Sequence, residues 1–462
     1  MSSPRCGMRR HALLLIYKMY IRPILEFGCV LFSGAAAYKL RPLLLLEREA
    51  LRLCLGLPKY VANNVLYLEA RVPSLTARFR LLTVQTFLKF CDSEQHASEL
   101  IFLGQRAEFL GVGWSRLQTP QICFVESLLG PLNVRIPEIV PVRSIPATVS
   151  IIYDDIYSCN AKLLPFSWLN GMLQGYLSTF SSHVAIATDG SVCAEKAGVG
   201  IYSQSLDWSF SLRLQDFTPI YLAEFLAVVL TLRKVPISLS AVIIITDSLS
   251  LCTSLSASTE SQLFRILKFL IPPHITSIRF LWVPGHRGLL LNESADALAK
   301  AALSGPIVDP LPTTAYITAA RFRRYTVMNE LGASALTSLD DFQHLLFPWR
   351  SSVWRSRNLE VSFTRLRCRV PQLNFYLYRP GLAISPLCPY CAEPETIEHF
   401  LLFCRRYSSI RRRLLEVPIQ NLSLRLSSAV VLSLGASMLG HTNGNVCSAV
   451  QNYLLESKRL PS

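Results

Sequence analysis

The order of apolar and polar residues divides the chain into segments of different character. In residues 1–110 apolar residues recur at helical spacing, as in LLLLEREALRLCLGL at 43–57, where the charged residues share one face between apolar stripes. Residues 111–182 contain many prolines, so we expect a connector without long helices. We interpret residues 306–360 as a basic helical linker and residues 361–462 as a further helical region with one Cys/His cluster.

Residues 183–305 carry short apolar segments typical of strands, mixed with helical patterns. Three strands are predicted first, at VAIAT, AGVGIYS and WSFSLRL, followed by a helix at PIYLAEFLAVVLTLRKV and a strand at AVIIIT. An amphipathic segment, ESQLFRILKFL, a strand, SIRFLWV, and a helix that we expect to open at Asn292 complete the pattern. This order predicts an α/β domain with a mixed five-stranded sheet and flanking helices.

Two aspartates follow predicted strands of this domain. Asp189 comes after VAIAT and Asp247 after AVIIIT. If these strands are parallel neighbours, both side chains lie at one edge of the sheet. Each aspartate also has an ordinary interpretation as a turn or cap residue.

Two further acids lie on predicted helices. Glu224 is surrounded by apolar residues on nearly every helix face, where an ionised group is costly unless it is paired or bound to a metal. Asp296 is expected in the first turn of the helix that opens at Asn292, where the helix dipole favours a carboxylate. Both also have ordinary interpretations, as a solvated helix charge and as a first-turn acid.

Four acids at the ends of elements of one sheet would form an oxygen-rich site suited to Mg²⁺ or Mn²⁺. Two such ions about 4 Å apart can activate a water and stabilise the leaving oxygen during in-line attack on a phosphodiester. Without cations, carboxylates at this separation would raise one another's pKa.

The motifs that contain these acids resemble type 1 ribonuclease H, in the form carried by non-LTR retrotransposon polyproteins. They are ATDGS at 187–191, AEFLAV at 223–228, TDS at 246–248 and WVPGHRGLLLNESADALAKAA at 282–302. The resemblance implies a ribonuclease H-like fold and two magnesium or manganese ions held by Asp189, Glu224, Asp247 and Asp296. It also implies cleavage of the RNA strand of RNA/DNA hybrids, leaving a 3′ hydroxyl and a 5′ phosphate.

The same resemblance gives roles to residues around the acids. His286 matches a mobile histidine that assists proton transfer or product departure, although a lone histidine in a glycine-containing loop is also an ordinary exposed side chain. Gly190, Ser191, Ser248 and Asn292 occupy positions that contact the hybrid, and Asn292 also has an interpretation as a helix cap. Such contacts involve 2′-hydroxyls and the shallow minor groove, so we expect weak sequence preference.

The segment SPLCPYCAEPETIEHFLLFCRRY at 385–407 predicts a metal site. Cys388, Cys391, His399 and Cys404 are separated by two, seven and four residues, which suits tetrahedral zinc, with buried free cysteines as the alternative. The retrotransposon family ends in a similar zinc knuckle. A phosphate-binding face is expected from the arginines nearby: Arg365, Arg367, Arg369, Arg405 and Arg406.

Charge and cysteine usage limit the classes of protein. The composition of 51% hydrophobic and 17% charged residues indicates a folded protein. Its net charge of +15 indicates a polyanionic partner; nucleic acid is the usual one, but the charge alone does not separate it from an anionic membrane surface. The 13 cysteines show no repeating spacing and fit reduced thiols of the nucleus or cytoplasm rather than a secreted protein. Lys18, Arg22 and Glu26 interrupt the N-terminal apolar run, and residues 426–440 are too few to span a bilayer, so neither a signal peptide nor membrane association is expected.

SIIYDDIYS at 150–158 is similar to the paired aspartates of a reverse-transcriptase palm, but its position argues against that role. IYKMYIRPILEFGCVLF at 16–32 and LEREALRLCLGLP at 46–58 resemble the region after the thumb, which a palm should precede. We therefore expect no polymerase activity and interpret the chain as the C-terminal part of a retrotransposon polyprotein. The alternative is an inactive remnant that binds nucleic acid through its zinc knuckle and basic helices.

Overall fold

A computed structural model gives the architecture of the chain. It describes residues 7–460 except for 94, 97, 101–102, 104, 106–120, 137–138, 140–148, 158–163, 256–260, 308–312, 332–339 and 351–352. Parts of the predicted connector at 111–182 and of the predicted linker at 306–360 therefore lie outside the described residues. The chain divides into a terminal unit, Met1–Phe79 with Val327–Ser462, and a central unit, Arg80–Thr326. The finer domain boundaries given above stay a prediction.

The central unit is built on a mixed sheet. Its six described strands are β1 Ser150–Asp154, β2 Val184–Cys193, β3 Lys196–Ser203, β4 Trp208–Leu214, β5 Ala241–Thr246 and β6 Ser277–Trp282. Their order across the sheet is β1-β6-β5-β2-β3-β4. β1, β6, β5 and β2 pair in parallel, and β2, β3 and β4 form antiparallel hairpins. The predicted α/β fold is confirmed.

The sheet has six strands rather than the predicted five, because β1 comes from the connector. Its residues pair in parallel with β6, from Ser150 opposite Ser277 to Asp154 opposite Leu281. The Asp154 Oδ2 atom lies 2.7 Å from Nη1 of Arg279 on β6. The segment that is similar to a polymerase motif thus forms an edge strand of this sheet.

Helices cover both faces of the sheet. β5 is apolar without interruption because alternate residues serve opposite layers: Val242 and Ile244 pack into one core, and Ile243 and Ile245 into the other. The described helices of the central unit are Gln121–Leu129, Phe166–Thr179, Ile220–Lys234, Leu249–Leu255, Gln262–Leu270 and Leu290–Ala302, with a 3₁₀ turn at Gly130–Leu132. Two further helices, Leu75–Cys91 and Ala315–Leu331, contain the residues at which the two units divide.

The helix Leu290–Ala302 packs closely on β3. A Cβ atom at Gly200 of β3 would collide with the backbone oxygen of Ala295, and one at Gly198 would lie 2.5 Å from the Cβ of Ala302. The two glycines therefore let the helix that carries Asp296 approach the strand backbone.

The terminal unit is helical. Its first and last parts share a core, in which Leu13 and Leu51 pack with Leu345 and Cys368. Its helices are Arg10–Ile16, Arg22–Glu26, Cys29–Phe32, Ala37–Leu55, Asn63–Ala70, Arg357–Arg367, Asn374–Tyr378, Ser408–Arg411, Val417–Gln420, Ser428–Ser433, Ala436–Leu439 and Gly444–Ser457. Shorter 3₁₀ or π turns occur at Tyr17–Ile21, Asp340–Leu346, His399–Phe403, Arg405–Tyr407 and Arg412–Glu416.

Among the described residues, no helix combines the length and the apolar character needed to cross a bilayer.

Candidate functional site

Three of the predicted acids meet at one edge of the sheet. Asp189, Glu224 and Asp247 each offer a carboxylate oxygen, and these oxygens lie within 4.8 Å of one another. The strand register explains why Asp189 and Asp247 are close. Ala187 of β2 stands opposite Ile245 of β5, and the two aspartates lie two positions further along these strands. We call these three residues the carboxylate cluster.

Asp189 lies inside a strand and does not follow its end, so its ordinary interpretation as a turn or cap residue is wrong. β2 continues to Cys193, and Asp189 stands opposite Gly200 of β3. The chain turns only at Ala194, whose φ is 49°. Pairing with β3 holds the Asp-Gly pair in extended conformation despite its turn composition.

Glu224 reaches the cluster from the helix Ile220–Lys234. A Cβ atom at Gly190 would lie 2.7 Å from the backbone nitrogen of Glu224, so the glycine permits this helix to lie against β2. Burial is the largest cause of the raised pKa values of Asp189 and Glu224, and the backbone N–H of Gly190 acts against it by lowering both pKa values. Gly190, predicted as a substrate contact, thus helps to shape the cluster itself.

The cluster is buried and crowded with like charge. The exposed fractions of Asp189 and Glu224 are 5% and 6%. Burial, followed by the charges of Asp247 and Asp296, raises the pKa of Asp189 to about 7. Burial, followed by Asp189 and Asp247, raises the pKa of Glu224 to about 9.

These residues fit a divalent cation. The Oε2 atom of Glu224 is buried and, within the described part of the chain, has no hydrogen-bond partner. Carboxylate oxygens are the donors that Mg²⁺ and Mn²⁺ prefer, and a cation would remove the repulsion that raises both pKa values.

This electrostatic strain predicts an unusual pH dependence of metal-free stability. The folded-state pKa of each carboxyl lies above its ordinary value, so stability falls as pH rises from 3.8 to about 7 for Asp189 and from 4.5 to about 9 for Glu224. The slope is about 1.4 kcal/mol per pH unit for each titrating group. Urea unfolding of metal-free protein at pH 5 and pH 8 measures it.

The double variant Asp189→Asn with Glu224→Gln is the control, because it lacks both titrations and should lose much less stability between these pH values. Magnesium at pH 8 should restore the stability of the wild type only. An identical pH dependence in the two proteins would contradict the assignment.

Asp296 is not in the carboxylate cluster. Its helix begins at Leu290, with Leu289 as the N-cap residue, so Asp296 lies in the second turn and not, as predicted, in the first. Its Oδ2 atom accepts a hydrogen bond from Nζ of Lys300 at 2.6 Å. Asp296 nevertheless contributes to the raised pKa of Asp189.

A second group beside the first contains His286, Glu293 and Asp296, whose ligand atoms also lie within 4.8 Å of one another. The His286 side chain is 73% exposed, with Nδ1 4.0 Å from Oδ2 of Asp296. Sequence reasoning missed Glu293, whose Oε1 atom accepts a hydrogen bond from the Gly288 N–H at 3.0 Å and so ties the His286 loop to the helix. The sequence did contain a signal for Glu293: it stands three residues before Asp296, and residues at this spacing share a helix face.

Asn292 lies inside this helix and is 1% exposed, so its interpretation as a helix cap is wrong. Its Nδ2 atom is 3.5 Å from Oδ2 of Asp247. Trp282 donates its indole N–H to the backbone oxygen of Asp247 at 2.9 Å. Both side chains therefore position Asp247. Ser191 and Ser248, the other predicted contacts, are half-buried beside Asp189 and Asp247 in the chain.

Gly285 is a close neighbour of the cluster, and its replacement is predicted to reduce cleavage of a hybrid substrate. A Cβ atom there would collide with Oδ2 of Asp247, so Gly285→Ala should displace that carboxylate. We expect a loss of activity of about 100-fold, because displacement of a reacting group by about 1 Å has effects of this size.

Gly171→Ala is the matched control, since a Cβ atom at Gly171 meets nothing within 4 Å. It should retain activity and stabilise the helix Phe166–Thr179 by about 0.5–1 kcal/mol. Equal activity of the two variants would show that Gly285 does not position Asp247.

The terminal unit contains the predicted Cys/His cluster. Cys388, Cys391, His399 and Cys404 each offer a ligand atom, all within 4.8 Å of one another. The Sγ atom of Cys404 lies 3.9 Å from that of Cys388 and 3.6 Å from that of Cys391. All three cysteines are free thiols. The set of three sulfurs and one imidazole is a common structural zinc site.

Neighbouring groups orient the ligands of this Cys/His cluster. Nδ1 of His399 lies 3.2 Å from Oε2 of Glu393, while Nε2 is buried and has no partner among the described residues. A carboxylate at Nδ1 favours the tautomer whose Nε2 lone pair is available to a metal. Burial tends to raise the pKa of Cys391, but the backbone N–H groups of Arg405 and Arg406 and the neighbouring cysteines lower it overall.

Three of the arginines predicted to form a phosphate-binding face have internal partners instead. Arg367 is 1% exposed, and its Nε atom lies 3.0 Å from Oε2 of Glu69. Arg369 pairs with Glu398 at 2.6 Å, and Nε of Arg365 donates to the backbone oxygen of Gly56. Arg365 and Arg367 serve internal contacts because the helix Arg357–Arg367 is largely buried. Of the five predicted arginines, Arg405 and Arg406 are exposed.

Comparison with known proteins identifies the central part of the chain. A search among curated proteins finds no match. Residues 181–304 match the family model described as RNase H. They contain β2 to β6, the carboxylate cluster and the His286 loop. The chain therefore contains an RNase H domain, at residues 181–304.

Proposed function

We propose that the RNase H domain is a type 1, metal-dependent endoribonuclease that hydrolyses the RNA strand of RNA/DNA hybrids. The observation that carries this proposal is the buried cluster of Asp189, Glu224 and Asp247 within the matched residues. The raised pKa values of Asp189 and Glu224 and the unpartnered Oε2 atom of Glu224 both indicate that cations would stabilise the cluster.

The residues of the site fall into ion ligands and residues that orient them in this proposal. Asp189, Glu224 and Asp247 would hold the ions, and Asn292 and Trp282 fix the orientation of Asp247. Two bound divalent ions supply an activated water and stabilisation of the leaving oxygen. Asp296 would be the fourth ligand; its Oδ2 atom accepts a hydrogen bond from Nζ of Lys300.

His286 suits a proton-transfer or product-release role. Its imidazole is exposed, so it can approach and leave a bound strand, and Asp296 lies within reach of its Nδ1 atom. Ser191 and Ser248 are the proposed polar contacts to the hybrid. Asn292 is not among them, since its buried side chain faces Asp247.

We further propose that the Cys/His cluster binds one zinc ion with a structural role and that the chain derives from a retrotransposon polyprotein. The first rests on the convergence of Cys388, Cys391, His399 and Cys404 and on the unpartnered Nε2 atom of His399. The second rests on the resemblance of the sequence motifs.

A second candidate is nucleic-acid binding without catalysis. The ion pair between Asp296 and Lys300 favours this candidate, because the fourth predicted metal ligand is then paired with a lysine.

Cleavage assays separate the two candidates. Purified full-length chain with Mg²⁺ should cut the labelled RNA strand of a hybrid, leave 3′ hydroxyl ends and spare single-stranded RNA and duplex DNA. Asp189→Asn should abolish the cutting. Binding of the hybrid without metal-dependent cleavage, or cleavage unaffected by Asp189→Asn, would favour the non-catalytic candidate.

A further inference from the structure

Residues 150–157 and 164–179 precede the residues that match the RNase H model, yet they belong to the same folded unit. We call them the upstream segment. It contains β1 and the helix Phe166–Thr179. Leu169 and Leu173 of this helix are 0% and 2% exposed, and they pack in one hydrophobic cluster with residues of β5 and β6. The helix is therefore fixed on the sheet of the RNase H domain.

The upstream segment contacts the loop that carries His286. The Nη2 atom of Arg287 donates to the backbone oxygen of Leu164 at 2.7 Å. The ring of Phe166 lies beside Gly288, where a Cβ atom would be 3.5 Å from Cδ2 of that ring, an ordinary contact distance. Both residues that follow His286 are thus in contact with the upstream segment.

The two ends of the same loop are anchored in the domain. Val283, which precedes the loop, donates its backbone N–H to the backbone oxygen of Thr246 at 3.0 Å. Leu289, which follows the loop, is 1% exposed and packs in the same hydrophobic cluster as the upstream helix. The side chain of His286, between these anchors, is 73% exposed. The backbone of the loop is therefore held in place while the imidazole faces solvent.

The upstream segment also reaches the carboxylate cluster through an aromatic pair. Tyr157 is 2% exposed and donates its hydroxyl to the backbone oxygen of Leu169 at 2.9 Å. Its ring packs edge-on against Trp282, with the two centroids 6.4 Å apart. Trp282 in turn donates to the backbone oxygen of Asp247. The upstream segment thus lies behind both the His286 loop and one residue of the carboxylate cluster.

We propose that the upstream segment positions His286 for hybrid cleavage, so that Leu164 and Phe166 support the site from outside the RNase H match. The φ of His286 is 56°, a conformation that persists only where the surrounding structure enforces it. A group that transfers a proton must lie within hydrogen-bond reach of the reacting atom, and a displacement of about 1 Å reduces its effect. Phe166 and Arg287 are positioning residues, because they act through His286. The inference rests on the role proposed above for His286, whereas the support of the loop can be measured without cleavage.

Hydrogen exchange of the metal-free, full-length chain measures the support of the loop. In the double variant Phe166→Ala with Arg287→Gln, the protection factor of a peptide that spans residues 283–289 should fall about tenfold, through loss of one hydrogen bond and one packing contact. The Phe166 side chain is 51% exposed, so the fold should persist.

Trp168→Ala is the matched control for the exchange measurement. Trp168 is an aromatic residue of the same helix and is 66% exposed. It lies two positions after Phe166, and residues at this spacing do not share a helix face. The variant should therefore show the wild-type protection of residues 283–289.

Cleavage of an RNA/DNA hybrid tests whether the upstream segment acts through His286. The double variant should lower kcat about tenfold and change KM less than twofold, because it displaces a reacting group and removes no substrate contact. In a His286→Ala background the same two changes should lower kcat by less than a further twofold, since the group to be positioned is gone. Phe166→Tyr, which keeps the ring, should cleave like the wild type.

Unchanged protection of residues 283–289 in the double variant, or an equal loss of protection in Trp168→Ala, would overturn the proposal. So would a loss of kcat that is as large with His286→Ala as without it, because Phe166 and Arg287 would then act independently of His286. A wild-type chain that cleaves no hybrid would instead contradict the proposed function, and the protection factors would still decide whether the upstream segment supports the loop.

Discussion

Asp247→Asn should reduce cleavage of an RNA/DNA hybrid by about 1,000-fold or more, as expected when a group essential to the transition state is removed. The same change should stabilise the metal-free protein by about 1 kcal/mol, because Asp247 is one of the charges that raise the pKa of Asp189 and Glu224. A loss of activity with a gain of stability is characteristic of a site built to hold cations. Hybrid cleavage rates and urea unfolding of metal-free protein measure the two effects.

The control is Asp207→Asn, which removes a carboxylate of the same domain at an exposed turn. Asp207 has a φ of 52°, which asparagine also adopts readily, so neither activity nor stability should change appreciably. If Asp247→Asn retained most of the activity, or destabilised the metal-free protein as strongly as an ordinary core substitution, the cation-binding role of Asp247 would be refuted.

Cys388→Ser should remove one zinc ion from the chain and unfold the part of the terminal unit around it. Cys388 and Cys404 are buried in one hydrophobic cluster with Ile397, Phe400 and Tyr453, so the metal would stabilise the core as well as the loop. Structural zinc contributes about 10–16 kcal/mol of apparent binding energy in isolated zinc peptides, and this energy is folding energy. We expect the variant to lose most of the thermal stability of its unit.

Metal analysis of reduced protein and thermal unfolding followed by circular dichroism check this prediction. Cys193→Ser, at an exposed cysteine outside the cluster, should keep one zinc and the wild-type melting curve. Reduced wild-type protein that contains no zinc, or a Cys388→Ser variant that keeps it, would rule out the site.

The sequence predicted the sheet of the RNase H domain because its strands are apolar segments with clear ends. It also predicted that Asp189 and Asp247 meet, since both follow apolar strand residues and the two strands are parallel neighbours. The strand Ser150–Asp154 could not be found in this way. It is a short edge strand in a proline-containing region, and its pairing with β6 is a tertiary contact that no local pattern reports.

The start of the helix Leu290–Ala302 was misplaced for a related reason. Asparagine is a preferred cap, so the sequence predicts a helix that opens at Asn292, whereas the helix begins at Leu290 and buries Asn292 beside Asp247. The sequence also did not predict the close approaches at Gly190, Gly200 and Gly285, because they depend on which atoms of distant residues lie opposite each glycine.

The arginines of the terminal unit show a third limit of prediction from the sequence, which is that it does not tell which charged residues are exposed. Spacing placed Arg367 with the exposed cations, whereas its partner Glu69 is distant in the chain and both are buried. Conversely, the cations that line the cavity beside the helix Arg10–Ile16 come from three separated segments and form no motif. Charge patterns along a chain indicate a polyanionic partner but not which residues meet it.

The central claim is that Asp189, Glu224 and Asp247 assemble a site for divalent cations. Anomalous scattering from crystals of the wild-type protein soaked in Mn²⁺ tests it most directly. The account predicts two manganese peaks about 4 Å apart, coordinated by the carboxylate cluster, and their disappearance in Asp189→Asn crystals. Crystals that show no manganese at these three carboxylates would contradict it.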